Sequence, residues 1–140
     1  MITKNNKSGF TLLEVIIVII IVGVLASLAL PRFFSTVEFS KSSEALTSLG
    51  TLRESMERCY LAAGGSYATC TIANLDLEDP GNSPGARFAY ALSGVATATN
   101  FTIVATRRSI DGGDAVSTIT LAQAATGVTR SGTGKFVGIK

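Results

Sequence analysis

The 140-residue sequence has no histidine, only two cysteines and three prolines, and charge on just 16% of its residues. Each scarcity closes off a class of chemistry. Without histidine, no imidazole can activate a serine or cysteine nucleophile. Two thiolates alone do not complete a tetrahedral zinc site, and Cys59 and Cys70 lie too far apart for a Cys-x-x-Cys redox pair. The 14 glycines fall in turns or in the tail, and none builds a phosphate-binding loop. The acids Asp76, Glu78, Asp79, Asp111 and Asp114 have no EF-hand spacing and no pattern that assigns an acid and a base. Net charge is only +2, and the one basic pair is Arg107-Arg108. Phosphate backbones demand a clustered basic excess, so strong nucleic-acid binding is not expected. These absences point away from an enzyme and from any cofactor.

What the sequence does have is a long apolar run. Val15 to Leu30 is sixteen residues without a charge, and counted from Phe10 the run is twenty-one residues with Glu14 as its one ionisable side chain. As a helix it rises roughly 31 Å, close to the thickness of a bilayer's hydrocarbon core. The polar leader before it carries Lys4 and Lys7 and no acid. Lysines on that flank favour a cytoplasmic N-terminus, with the rest of the chain outside. Three readings compete for this segment. A cleaved signal peptide usually has a shorter core, although Ala26-Ser27-Leu28-Ala29 offers small residues for cleavage. A plain anchor accounts for the length but leaves Glu14 unexplained, since an acid inside hydrocarbon is costly and usually functional. The third reading accounts for both.

Lys7-Ser8-Gly9-Phe10-Thr11-Leu12-Leu13-Glu14 resembles the cleavage and methylation signature of the type IV pilin and type II secretion pseudopilin superfamily. The resemblance implies that a prepilin peptidase cuts between Gly9 and Phe10 and methylates the new amine of Phe10. The apolar segment then stays, first as membrane anchor and later as filament core. It also implies that Glu14 pairs with the Phe10 amine of a neighbouring subunit and sets the stagger during assembly. The bland alternative is a neutral Glu14 near the headgroups. Gly23 and Pro31 match the glycine and proline that bracket a segment able to unwind in assembled pili. For Gly23, close helix packing is a compatible second reading. Removing the leader takes away two lysines and leaves ten basic and ten acidic side chains.

The helix is expected to continue over residues 31–63, with Pro31 as a kink or weak point. Ala45, Leu49, Leu52, Met56, Tyr60 and Ala63 recur at steps of three and four, giving one apolar face. Glu54 and Arg58 are spaced as an i,i+4 pair, and Gly64-Gly65 marks the stop. Behind an N-in anchor the domain lies outside the cytoplasm, where disulfides persist, so a Cys59–Cys70 bridge is expected. Residues 64–86 read as a loop with turn chemistry at Pro80-Gly81-Asn82 and Pro84-Gly85. Alternation over 87–93, 100–106 and 116–121 predicts three strands, with Asp111-Gly112-Gly113-Asp114 as a hairpin turn. The tail from Gly127 is rich in Gly, Ser and Thr, and its Phe136-Val137 is expected to dock as a short strand.

The expected architecture is α+β and pilin-like: a long N-terminal helix packed on a small antiparallel sheet. Its divisions are the cleaved leader 1–9, the transmembrane and filament-core helix 10–30, and the soluble headgroup 31–140. The resemblance implies a structural subunit of a type IV pilus-like filament, with a pseudopilin of type II secretion as the alternative. The implied partners are further copies in a helical filament, the prepilin peptidase, and an inner-membrane assembly platform with its ATPase. The implied location is the bacterial inner membrane, single-pass with the N-terminus cytoplasmic, then an extracellular pilus or periplasmic pseudopilus. Adhesion, motility and DNA uptake are the roles the family serves. Two other classes stay in view: a filament conducting electrons through aromatics, with only 7% aromatic residues to do so, and a membrane-anchored binding module that does not assemble.

Overall fold

The structure, a computed structural model, describes residues 9–140. The leader residues 1–8, with Lys4 and Lys7, lie outside the described residues. The order is one helix, α1 (Leu12–Ala62), then four strands: β1 (Phe88–Leu92), β2 (Phe101–Arg107), β3 (Thr118–Ala124) and β4 (Gly127–Gly132). The chain divides into two compact units, Met1–Thr36 and Val37–Lys140. The α+β architecture expected from the sequence is present, with a fourth strand added.

The second unit is built on the apolar face of α1. Ala45, Leu49, Leu52 and Met56 are fully buried, and they join Phe88, Ile103, Ala105, Ile119 and Leu121 of the sheet in one core. The helix ends where its sequence stops favouring it. Gly64 and Gly65 take φ of 70° and 90°. The Gly65 N–H donates to Tyr60 O at 2.9 Å and the Gly64 N–H to Leu61 O at 3.3 Å, which is the Schellman pattern that satisfies terminal carbonyls. Next to this end Cys59 is bonded to Cys70, with Cα atoms 6.1 Å apart. Tyr67 stacks between Tyr60 and Phe101 with centroids at 4.5 and 4.7 Å. Burial, reinforced by the neighbouring Glu57 carboxylate that accepts its proton at 2.8 Å, pushes the Tyr67 hydroxyl up to about 12. The bridge closes a short loop onto the core, and Cys70 is itself buried. Cys70→Ser is expected to cost about 3 kcal/mol on the chain-entropy view. Thermal melts of the oxidised protein with and without reductant check it, and unchanged melts would deny the bridge a stabilising role.

The sheet is antiparallel in the order β1-β2-β3-β4. Its inner face carries Phe88 and Tyr90 from β1, Phe101, Ile103 and Ala105 from β2, and Ile119 and Leu121 from β3, as the alternation predicts. Several expectations shift. The third strand is Thr118–Ala124 rather than 116–121, and Val116 is a loop residue, 73% exposed. The Asp111-Gly112 turn lies inside a longer connection, residues 108–117, with φ of 49° and 79° at those two positions. The tail is not loose: Gly127–Gly132 pairs with β3 from Ala124↔Gly127 to Ile119↔Gly132. Phe136 is buried at the end of a 3₁₀ turn, Gly134–Phe136, rather than in a strand, while Val137 is exposed. Two further 3₁₀ turns, Ile72–Asn74 and Pro80–Asn82, lie in the expected loop. Arg58 does not close on Glu54 but reaches across to Asp76, Nε to Oδ2 at 2.5 Å. That guanidinium, with the Ser55 hydroxyl that also donates to Asp76, holds the Asp76 carboxyl at about 2.

A buried ion pair ties the end of β2 to the helix. Arg107 is fully buried, and its Nε lies 3.1 Å from Glu38 Oε2. Lys41 Nζ reaches Glu38 Oε1 at 2.6 Å and Asp111 O at 2.7 Å. Arg107 also donates to the carbonyls of Arg87, Arg108 and Asp111 at 3.1–3.2 Å. Arg87 links Glu44 and Asp111 at the rim, at 2.9 and 3.0 Å.

Candidate functional site

The N-terminal segment carries the features on which processing and assembly would act. Gly9 and Phe10 precede the helix and are exposed, Phe10 by 84%. The bond between them is therefore neither wound into α1 nor buried, a geometry a protease needs.

Helix α1 begins at Leu12 with Thr11 as its N-cap. The Glu14 N–H donates to Thr11 Oγ1 at 3.2 Å, and the Thr11 N–H donates to Glu14 Oε2 at 3.3 Å. The Thr11 hydroxyl approaches the same carboxylate oxygen at 3.4 Å. This reciprocal arrangement is a capping box, which satisfies two backbone donors that a helix start leaves unpaired. The carboxylate also lies in the first turn, where the helix dipole favours negative charge. Within a single chain, then, Glu14 has local partners. The Thr-x-x-Glu spacing at 11–14 was sufficient to find Thr11 from sequence, and the reading of Glu14 as an assembly residue passed over it.

The apolar surface that follows is exposed. From Phe10 to Leu30 the large apolar side chains are 40–84% exposed. An 18-residue window of α1 has mean hydropathy 3.0, long and apolar enough to cross a bilayer. The helix runs unbroken through Gly23 and Pro31. Among the described residues, a Cβ built on Gly23 meets nothing within 4 Å, so none of them requires glycine there. Pro31 supplies no N–H and leaves the Ser27 carbonyl without its helical donor.

The remaining singled-out residues separate into structural roles. Cys59 and Cys70 are bonded to each other. Asp79 caps the 3₁₀ turn at Pro80–Asn82 through Gly81 N at 2.8 Å. Asp114 accepts from the Ser117 hydroxyl and backbone and from Val116 N, which hold its carboxyl at about 2. Among the described residues, no group of three or more Cys, Asp or Glu side chains is placed to hold a metal ion. Glu38 and Arg107 were not singled out as a pair by sequence reasoning: they are 69 residues apart, and no local spacing links them.

The family described as the prokaryotic N-terminal methylation motif matches residues 4–30. The type IV major fimbrial protein FimA of Dichelobacter nodosus is 32% identical over 112 residues, covering 66% of this chain and 69% of that protein. A fimbrial protein of Moraxella nonliquefaciens is 42% identical over 98 residues, covering 58% of this chain and 62% of its own. The type II secretion system core protein G of Aeromonas hydrophila is 39% identical over 66 residues, covering 47% of this chain and 46% of that protein. No solved structure matches the chain. With a methylation motif at its start, an uncovered apolar helix behind it, and a fimbrial relative matched over more than two thirds of its length, the chain belongs to the type IV pilin and pseudopilin family.

Proposed function

We propose that the protein is a structural pilin, the subunit of a type IV pilus-like filament, assembled after cleavage between Gly9 and Phe10. The observation that carries this reading is the uncovered apolar stretch of α1 directly behind an exposed Gly9–Phe10 bond. Such a surface has two stable environments: lipid before assembly and the same helix of other copies afterwards. The prepilin peptidase makes the transition possible by freeing the Phe10 amine, which it then methylates. Glu14, Gly23 and Pro31 act in assembly, Glu14 by accepting the amine of a neighbouring copy. An inner-membrane platform and its ATPase move the subunit from the membrane, N-terminus cytoplasmic, into a filament outside. No step of this asks the chain for catalysis.

Action as a pseudopilin of type II secretion is the second reading, favoured by the similarity to the Aeromonas core protein over 66 residues. Intact mass and N-terminal sequencing separate the readings. Methylated Phe10 at the N-terminus of protein abundant in sheared surface filaments is the expected result for a major pilin. The same processed chain confined to membranes would favour the pseudopilin or a minor pilin. A chain still starting at Met1 in cells with active prepilin peptidase would overturn the assembly reading.

A further inference from the structure

The first strand of the sheet leaves part of its outer edge open. β1 pairs with β2 on one side only. The Ser93 N–H bonds Thr102 O and the Arg108 N–H bonds Arg87 O. In an antiparallel ladder these directions alternate, so residues 87, 89, 91 and 93 face β2 and Phe88, Tyr90 and Leu92 point their N–H and C=O groups away from it. The Phe88 end is covered: a Cβ on Gly81 would lie 3.4 Å from Phe88 O and Ala89 Cα. The Tyr90–Leu92 end opens into a groove of about 470 Å³ that is also lined by Thr71, Ile72, Asp79 and Asn82. No backbone hydrogen bond to Tyr90 or Leu92 from outside the sheet is present among the described residues.

Open edges are normally blunted by lysine, proline, a bulge or a covering segment. The opposite edge, β4, carries Arg130, whereas Tyr90-Ala91-Leu92 carries no lysine or proline and pairs without a bulge, and the neighbouring segment leaves a groove beside it rather than closing on it. Two outward N–H and two outward C=O groups in one row match a single kind of occupant, an extended backbone. Among the described residues, the only charged side chain lining the groove is the Asp79 carboxylate, one oxygen of which is taken by Gly81 N. We infer that this edge binds an extended peptide segment of a partner protein by strand addition, with a lysine or arginine of that peptide facing Asp79. The open edge is three residues, about 10 Å, and takes a segment of roughly three to five residues. This inference does not depend on which filament the subunit enters.

Hydrogen-exchange NMR on the full chain in detergent micelles tests it, with the capped peptide Thr-Val-Lys-Val-Thr as probe and Thr-Val-Glu-Val-Thr as its charge-reversed control. The lysine peptide is expected to slow exchange of the Tyr90 and Leu92 amides by about tenfold at saturation, and the glutamate peptide to do so much less. Leu92→Pro removes an outward N–H while leaving the β1–β2 ladder intact, and is expected to abolish the protection. Asp79→Asn keeps an oxygen for Gly81 and is expected to erase the preference for lysine, which holds the test even where the proline variant fails to fold. Unprotected amides at the highest soluble peptide concentration, or equal protection by both peptides, would overturn the inference. Protection that rises with protein concentration without peptide would also overturn it, assigning the edge to a second copy of the chain.

Discussion

Glu38→Ala is expected to destabilise the unit Val37–Lys140 by about 3–5 kcal/mol, the range for stripping one partner from a buried ion pair. Glu38 is 7% exposed and Arg107 not at all. Without the carboxylate, Arg107 keeps its three carbonyl acceptors but loses the charge that offsets its burial. Lys41 is left beside it and adds like-charge repulsion. Arg107→Met is expected to cost less, because Lys41 still neutralises Glu38. In the double variant Glu38→Ala/Arg107→Met both charges are gone and the cost falls below the sum of the singles. Near-ultraviolet CD melts of the full chain, reporting on the stacked Tyr60–Tyr67 pair, measure all three. Additivity within about 0.5 kcal/mol would mean that the pair does not act as a pair.

The same network predicts how stability follows pH. Burial raises the Glu38 pKa, but the hydrogen bonds and charges of Arg107 and Lys41 outweigh it, and the net shift is downward. A depressed carboxylate pKa means that the unfolded chain binds its proton first as pH falls. Glu38 therefore contributes its full stabilisation above the unfolded value, roughly 4.3, and loses it as pH drops through its lower folded value. Glu38→Gln should flatten that acid limb and leave the neutral-pH slope unchanged.

The parts of the fold that sequence reveals are those whose signal is local. Ala45, Leu49, Leu52 and Met56 announce a buried helix face by spacing alone, and Gly64-Gly65 marks its end because the required positive φ suits glycine. Phe88, Tyr90, Phe101 and Ile103 alternate because one face of the sheet is buried. β4 was hidden because it owes little to its own side chains. Only Val128 packs against the core, the other residues being Gly, Thr, Arg and Ser, and what holds the strand is pairing with β3. Arg58 shows a different limit. Its local partner Glu54 is in reach by spacing, yet Asp76, placed by a loop, offers a shorter ionic contact that Ser55 also orients. In the sequence Arg107 is half of a basic pair with Arg108, and only the tertiary fold sets it against Glu38. The N-terminal methylation motif is legible because it rests on contiguous residues; the capping box within it is legible too, and is obscured by a more specific expectation for the same glutamate.

Glu14→Ala is expected to reduce the subunit in sheared filaments by tenfold or more, and the capping box makes the reason testable. Two roles are superimposed on one carboxylate: partner of a neighbour's Phe10 amine in the proposed filament, and N3 residue of the box with Thr11 in the single chain. The cap is worth about 1 kcal/mol, small against the burial of the apolar stretch Phe10 to Leu30 in lipid. Loss of the cap alone should therefore leave insertion and cleavage intact and barely touch assembly. Pairing is a larger effect, since an amine left unpaired in a dry filament core costs several kcal/mol per subunit. Three substitutions separate the roles. Glu14→Gln preserves the box, because glutamine also serves at N3, and removes the charge. Thr11→Ala keeps the charge and breaks the box. Glu14→Asp keeps the charge on a shorter arm. With charge pairing as the cause, Glu14→Gln assembles as poorly as Glu14→Ala and Thr11→Ala assembles near normally. The reverse pattern, with Gln competent and Thr11→Ala defective, would assign the effect to helix capping and sink the pairing. The fraction cleaved at Gly9–Phe10, read by mass from the same membranes, keeps a processing failure from being mistaken for either.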